Sequence, residues 1–163
     1  MTIRPRRSVL YMPGSNQRAL EKARTLDADA LILDLEDSVA PEAKNLARNQ
    51  VAAAVKAGGF GPREVIVRVN GLDTEWAKDD MAVVAQCGAD AILFPKIQSP
   101  ADVLQAVDLM GRSGTPDATP LWVMAETPRC ILNIETIAKA SRRLRCIVAG
   151  TSDLGRELRT RYT

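Results

Sequence analysis

The sequence predicts an α/β protein of the TIM (β/α)₈ barrel class, with about six βα units supplied by residues 1–163. Three observations point there. Short apolar runs alternate strictly with helix-length segments, the pattern of parallel strands buried on both faces. Polar and charged residues cluster at the carboxyl end of nearly every run, where a barrel assembles its active site. The turn after the first run, Pro13-Gly14-Ser15-Asn16, does not fit the glycine fingerprint of dinucleotide folds. That weighs against the main competing architecture, an open doubly wound sheet.

The elements follow in order. Residues 8–12 form the first apolar run, stopped by Pro13-Gly14. Residues 16–26 have helical composition, with Ala19, Leu20, Ala23 and Leu26 on one face. The run 30–35 comes next. A helix over about 41–57 opens on Pro41, which suits a first turn, and closes at Gly58-Gly59. Strand-like runs at 64–69, 90–94, 121–125 and 145–149 alternate with helices near 74–86, 100–110 and 130–140. A last helix starts near Asp153, and residues 111–120 form the longest loop. A complete barrel takes eight strands and roughly 250 residues. Two strands and a tail are therefore expected to be absent, leaving the first and sixth strand edges open unless another chain covers them.

Composition excludes several classes of function. The chain is 46% hydrophobic and 26% charged, as ordinary globular proteins are. Its 22 basic and 20 acidic side chains leave a net charge of +2 and no basic block, so nucleic acid is not expected as a partner. The densest basic run, Arg4-Pro5-Arg6-Arg7, reads as a solvated tail. No apolar stretch reaches the ~20 residues of a membrane span and no signal-peptide pattern opens the chain, so a soluble cytoplasmic protein is expected. Cys87, Cys130 and Cys146 match no zinc or disulfide spacing and read as small buried apolar residues. Histidine is absent, which excludes histidine bases, imidazole ligands and Ser-His-Asp catalysis from this chain.

The strand ends hold the candidate chemistry. Glu126 and Asp153 end the fifth and sixth strands. Neighbouring strands lie about 4.8 Å apart, so two such carboxylates can meet one small cation. Mg²⁺ suits them, because it takes hard oxygen ligands and completes its octahedron with water and substrate. Equally, each carboxylate could cap a following helix. Arg68 lies inside an apolar strand, where its fork needs an anion: a substrate carboxylate, or an internal partner such as Glu36 or Asp37. Asp34, Glu36 and Asp37 crowd the end of the second strand, where they could hold metal-bound water, orient Arg68 or start a helix. Ser15, Arg18 and Lys22 follow the first strand. Arg18 and Lys22 share a helix face that could take a phosphate or simply be solvated.

Six blocks, in order along the chain, then resemble one family. They are Ser8 to Ser15, Leu33-Asp34-Leu35-Glu36-Asp37-Ser38-Val39, Val67-Arg68-Val69-Asn70-Gly71, Phe94-Pro95-Lys96-Ile97, Glu126-Thr127-Pro128-Arg129 and Gly150-Thr151-Ser152-Asp153-Leu154. The resemblance is to the citrate lyase β-subunit and malyl-CoA lyase family (HpcH/HpaI aldolase/citrate lyase), over its amino-terminal portion. It implies a (β/α)₈ homotrimer. It also implies Mg²⁺-dependent cleavage of a 3-hydroxy-acyl thioester, on CoA or on an acyl carrier protein, to an acyl thioester and a 2-keto acid. By the same resemblance, Glu126 and Asp153 hold the metal, and Glu126 thereby also contacts substrate. Arg68 pins the substrate carboxylate, and Ser15 and Arg18 lie in the loop that contacts CoA. Glu36 and Asp37, to which the resemblance assigns no role, stand beside Arg68 as catalytic candidates from their place at the strand end. One catalytic aspartate of the malyl-CoA lyase branch has no counterpart here, so the 163-residue chain alone is expected to be inactive. Two alternatives compete. A class II pyruvate aldolase of the same superfamily would need a histidine base near the second strand, where this chain reads Leu35-Glu36-Asp37-Ser38. A non-catalytic barrel subunit would not need Glu126, Asp153 and Arg68 together.

Overall fold

The computed structural model describes residues 4–161. Six strands alternate with helices: β1 (Val9–Pro13), α1 (Gln17–Ala23), β2 (Ala30–Asp34), α2 (Lys44–Ala57), β3 (Glu64–Arg68), α3 (Trp76–Val84) and β4 (Ala91–Phe94). Then come α4 (Pro100–Arg112), β5 (Leu121–Ala125), α5 (Pro128–Leu132), α6 (Ile134–Lys139), β6 (Leu144–Ala149) and α7 (Thr151–Glu157). Pro41 opens a 3₁₀ turn leading into α2, and Gly58 ends α2 at φ 66°.

All neighbouring strands are parallel, and the spatial order is the chain order, β1 to β6. A doubly wound sheet reverses its winding at a switch point, whereas an unbroken sequential order is a barrel wall. The wall is curled. The Tyr11 hydroxyl of β1 donates to Met124 Sδ of β5 over 3.8 Å, and the Arg6 guanidinium lies 4.8 Å from the centre of the Trp122 ring. Strands four places apart in sheet order therefore face each other across an interior.

Period-2 alternation divides each strand between two cores. Ala30, Ile32, Ile66, Ala91, Leu93, Trp122 and Met124 form the inner cluster, with Val9, Cys146 and Val148 against it. Leu31, Leu33, Val65, Val67, Ile92 and Val123 point outward and are covered by helix residues such as Leu20, Val51, Met81 and Val103. Both faces being apolar explains why β2, β3 and β5 are buried end to end.

Three local expectations are corrected. The run Arg4–Arg7 is exposed, as expected, but it is tied down by ion pairs. Arg6 donates to both Glu64 carboxylate oxygens at 2.5 and 2.8 Å, Arg7 pairs with Asp29 at 2.9 Å, and Arg4 reaches Asp90 at 3.8 Å. Glu64 begins β3 and is buried, and an arginine is the partner that makes its burial tolerable. The helix expected over 130–140 is broken at Asn133, whose side chain donates to the Gln98 carbonyl instead. The last helix starts at Thr151, so Asp153 sits within its first turn. Cys87 and Cys130 are buried, Cys146 is half-buried, and all three are free thiols. The expected domain span includes residues 1–3 and 162–163, which lie outside the described residues.

Candidate active site

The parallel register sets Asp34 beside Arg68 at the carboxyl ends of β2 and β3. The two make a bidentate pair, with Arg68 Nε and Nη2 donating to the Asp34 oxygens at 2.6 and 2.7 Å. The same oxygens accept the backbone N–H groups of Glu36 and Ser38, which turns the chain sharply after β2. Burial pushes the Asp34 carboxyl up, but the Arg68 hydrogen bond and charge outweigh it and leave it below the usual carboxylate range. Burial likewise opposes the Arg68 charge, and Asp34, then Glu36 and Asp37, more than compensate. Arg68 Nη1 lies 2.9 Å from Glu36 Oε2, 3.6 Å from Asp37 and 3.5 Å from Met124 Sδ, and the guanidinium stacks 5.0 Å from the Tyr11 ring centre.

The loop bearing Glu36 and Asp37 is fixed from behind. The buried Lys44 ammonium donates at 2.7 Å to the carbonyls of Leu35 and Glu36 and to Asn70 Oδ1. Those three bonds use its three donors. The Asn70 amide in turn donates to the Leu35 carbonyl and to Asp80, which also takes Arg48 at 2.9 Å. At the front, Gly14 donates to the Asp34 carbonyl at 2.8 Å. A Cβ there would stand 2.6 Å from that oxygen, so the β1 turn admits only glycine.

Glu126 follows β5 and is buried, and Gly150 follows β6 beside it. Glu126 Oε1 accepts the Lys96 backbone N–H at 2.6 Å. A Cβ on Gly150 would stand 2.5 Å from Glu126 Cβ and 2.9 Å from Oε2. Glu126 and Asp153 line one open cavity of about 330 Å³ together with Tyr11, Asp37, Arg68 and Met124. Neither carboxylate caps a helix: Thr127 caps α5 by accepting from Cys130, and Gly150 holds the cap position of α7. That removes the capping alternative for both. Asp153 accepts from Arg156 at 2.8 Å. Burial first, then the negative charges of Glu36 and Asp153, push the Glu126 carboxyl up to about 7 despite the Lys96 N–H bond. Burial also raises Glu36, against the Lys96 hydrogen bond and the Arg68 charge.

The structure thus brings Arg68, Asp37, Glu126 and Asp153 to one cavity. Glu36 stays behind it, paired with Arg68 and with Lys96, whose ammonium donates to Glu36 Oε1 at 2.7 Å. Ser15 and Arg18 lie at the start of α1 and do not line the cavity. Asp34, Lys96, Tyr11 and Gly150 belong to the site as well. For Asp34 a signal exists in the sequence: it ends its strand as Arg68 ends the next, and parallel neighbours in register place such residues side by side.

A hard divalent cation fits these donors. Two carboxylates converge on a cavity with room for water and a small acid, the partial ligand set Mg²⁺ accepts. Among the described residues no group of three or more acidic or cysteine side chains is placed to cage an ion, so the remaining ligands would be water and substrate oxygens. Among the same residues, no helix is long and apolar enough to cross a membrane.

Comparison with known proteins bears on this geometry. The model of the HpcH/HpaI aldolase/citrate lyase family matches residues 7–163. The chain is 50% identical over 158 residues to a (3S)-malyl-CoA thioesterase of Cereibacter sphaeroides, covering 97% of this chain and 53% of that protein. It is 40% identical over 162 residues to the citrate lyase β subunit of Escherichia coli, covering 96% of this chain and 54% of that one. It therefore spans about half the length of the curated relatives it matches. Among solved structures, a Mycobacterium tuberculosis citrate lyase β subunit complexed with oxaloacetate and magnesium superposes with a TM-score of 0.75 at 26% identity. That match covers 99% of this chain and 66% of the other.

Proposed function

The chain belongs to the HpcH/HpaI aldolase/citrate lyase family, and from that premise we propose that it forms the metal- and carboxylate-binding part of a Mg²⁺-dependent carbon–carbon lyase. Its substrate is a 3-hydroxy-acyl thioester of the citryl-, malyl- or citramalyl-CoA type, carried on CoA or an acyl carrier protein. The products are an acyl thioester and a 2-keto acid. The observation that carries this reading is the convergence of Glu126, Asp153 and Arg68 on one cavity.

In this reading Glu126 and Asp153 hold Mg²⁺, which when bound polarises the substrate oxygen that becomes the keto group. Arg68 provides the cationic edge for the substrate carboxylate. Asp34 locks the plane of its fork and Tyr11 supports one face, while Nη1, shared with Glu36, is the nitrogen that Asp34 does not hold. Such fixed orientation holds the reacting atoms in line. Asp37, half exposed on the cavity wall, is the carboxylate placed to take the hydroxyl proton, while Glu36 acts through Arg68 and Lys96. Cleavage breaks the bond between the carbinol carbon and the carbon next to the thioester. The electron pair stays on the thioester enolate, which then takes up a proton. Ser15 and Arg18, outside the cavity, suit the distant phosphate end of CoA. A cytoplasmic homotrimer is the assembly that goes with this reading.

A second reading is specifically favoured by the 50% identity to a (3S)-malyl-CoA thioesterase: hydrolysis of the thioester in the same pocket. Product analysis separates the two. With malyl-CoA and Mg²⁺, a lyase releases glyoxylate and keeps its thioester, whereas a thioesterase releases free CoA thiol and malate. The lyase proposal is tested first by calorimetric Mg²⁺ titration of this chain. Binding that is lost in Glu126→Gln and in Asp153→Asn supports it, and absence of binding overturns it. A chain carrying all eight βα units is then screened with citryl-, malyl- and citramalyl-CoA for keto-acid release.

A further inference from the structure

We infer that Lys96 is a positioning residue that sets how many carboxylates the metal meets, working through its backbone and its side chain separately. The inference rests on the metal-site reading above. Lys96 follows β4 and Pro95 and has φ 55°. An L side chain meets steric resistance in that left-handed region, and only glycine or asparagine enters it readily. Non-glycine residues held there tend to mark functional sites. Arg159, near the end of the chain, is the one other such residue among those described.

In this conformation Lys96 serves two carboxylates at once. Its backbone N–H donates to Glu126 Oε1 at 2.6 Å, and its ammonium donates to Glu36 Oε1 at 2.7 Å, with Asp37 at 3.9 Å. Glycine would satisfy the backbone without strain but could not supply the ammonium. A lysine with ordinary backbone dihedrals would keep the charge but aim its N–H elsewhere. The two contacts have different consequences. The N–H fixes one Glu126 oxygen and leaves Oε2, beside Gly150, as the oxygen for a cation. The ammonium holds Glu36 away from that cation and offsets its negative charge. Glu36 Oε2 lies 2.9 Å from Arg68 Nη1 while the ammonium holds Oε1, so losing the ammonium leaves the whole Glu36 charge on Arg68, in competition with an incoming carboxylate. Lys96 thus limits the cation to two protein carboxylates and shares the Glu36 charge with Arg68.

The test uses three variants of this chain, Lys96→Gly, Lys96→Ala and Lys96→Arg, with Mg²⁺ alone and then with pyruvate at saturating Mg²⁺, both read by calorimetry. Lys96→Gly keeps the N–H in place, so its Mg²⁺ affinity stays within about threefold of wild type, whereas Lys96→Ala, whose backbone relaxes, loses about tenfold or more, the usual effect of disturbing the support of a metal ligand. Pyruvate affinity falls about tenfold in both and returns to within about threefold in Lys96→Arg. Thermal melts accompany each titration, and Lys96→Gly melts above Lys96→Ala. Unchanged Mg²⁺ affinity in Lys96→Ala, or an alanine variant melting above the glycine one, overturns the backbone role. Unchanged pyruvate affinity in Lys96→Gly overturns the side-chain role. Should Lys96→Ala fail to fold, the glycine and arginine variants still decide the side-chain role, and wild-type Mg²⁺ affinity in Lys96→Gly supports the backbone role. Wild type that binds no Mg²⁺ overturns this inference and the metal-site reading together, while wild-type binding with unaltered variants overturns this inference alone.

Discussion

Asp34 and Arg68 stand opposite each other in register on β2 and β3, and Asp34 occupies both the Nε and the Nη2 of the guanidinium. Nη1 is left to Glu36 and Asp37. The pair is buried, with side-chain exposures of 1% and 7%, so removing Asp34 leaves the buried guanidinium without its bidentate partner and with only Glu36 and Asp37 on Nη1. Asp34→Asn is therefore expected to destabilise the chain by about 3–5 kcal/mol, measured by urea unfolding. Replacing both, Asp34→Leu with Arg68→Met, is expected to restore only part of that loss, because the Glu36 and Ser38 N–H groups lose their acceptor and Glu36 loses its arginine, while pyruvate binding is abolished. Equal stability of Asp34→Asn and wild type would contradict the pairing.

Glu126 gives the protein a pH dependence of determined sign. Its folded-state carboxyl is raised to about 7, first by burial, so in metal-free buffer the fold favours the neutral acid. The stabilisation is fully present below the unfolded value of about 4.3 and is lost as pH rises through about 7. Glu36, also raised, works in the same direction. The comparison of wild type with Glu126→Gln isolates the Glu126 share. Melting temperature should fall more steeply from pH 4.5 to 7.5 in wild type than in the glutamine variant, and Mg²⁺ should recover wild type alone, because the metal takes the ionised form. Parallel profiles with and without Mg²⁺ would count against Glu126 as a metal ligand.

Gly150 is required by space alone. Its φ is −92°, ordinary for any residue, but a Cβ would press on Glu126 Cβ at 2.5 Å, Oε2 at 2.9 Å and Met124 Cε at 3.0 Å. Gly150→Ala is expected to cost about 1–3 kcal/mol by overpacking. It should also weaken Mg²⁺ binding at least tenfold by displacing the carboxylate, read by calorimetry. An alanine variant with wild-type Mg²⁺ affinity would show that the Glu126 position is not critical.

Much of this was legible in the sequence, and what was not has a common cause. Strands buried on both faces read as continuous apolar runs, so β2, β3 and β5 were evident, and the charged residues at their ends marked the rim. The features that escaped depend on contacts distant in sequence. Arg6 meets Glu64 and Trp122 only because the sheet curls, and a basic tetrapeptide carries no mark of that. The φ of Lys96 is set by Glu126 and Glu36, 30 and 60 residues away, and local propensity would not place a lysine there. At the break, the Asn133 side chain bonds to Gln98, 35 residues back, a partner local sequence does not announce.

Arg6 offers a control at the opposite end of the barrel. Its pair with Glu64 and its stacking on Trp122 seal the amino-terminal side, where barrel residues support stability and not chemistry. Glu64 is 5% exposed, so Arg6→Ala leaves a nearly buried carboxylate without its partner. Arg6 itself is one-third exposed, which screens the pair and puts the expected loss at about 2 kcal/mol, below the figure for Asp34→Asn. The Trp122 indole, buried in wild type, should become more accessible to water, shifting its emission to the red. Because the pair lies at the other end of the strands from Glu126 and Asp153, Mg²⁺ affinity should stay within about twofold of wild type at a temperature where the variant is folded. A variant that loses Mg²⁺ binding while keeping its stability would mean that the two ends of the interior are coupled, and that the division between a structural floor and a chemical rim does not hold in this barrel.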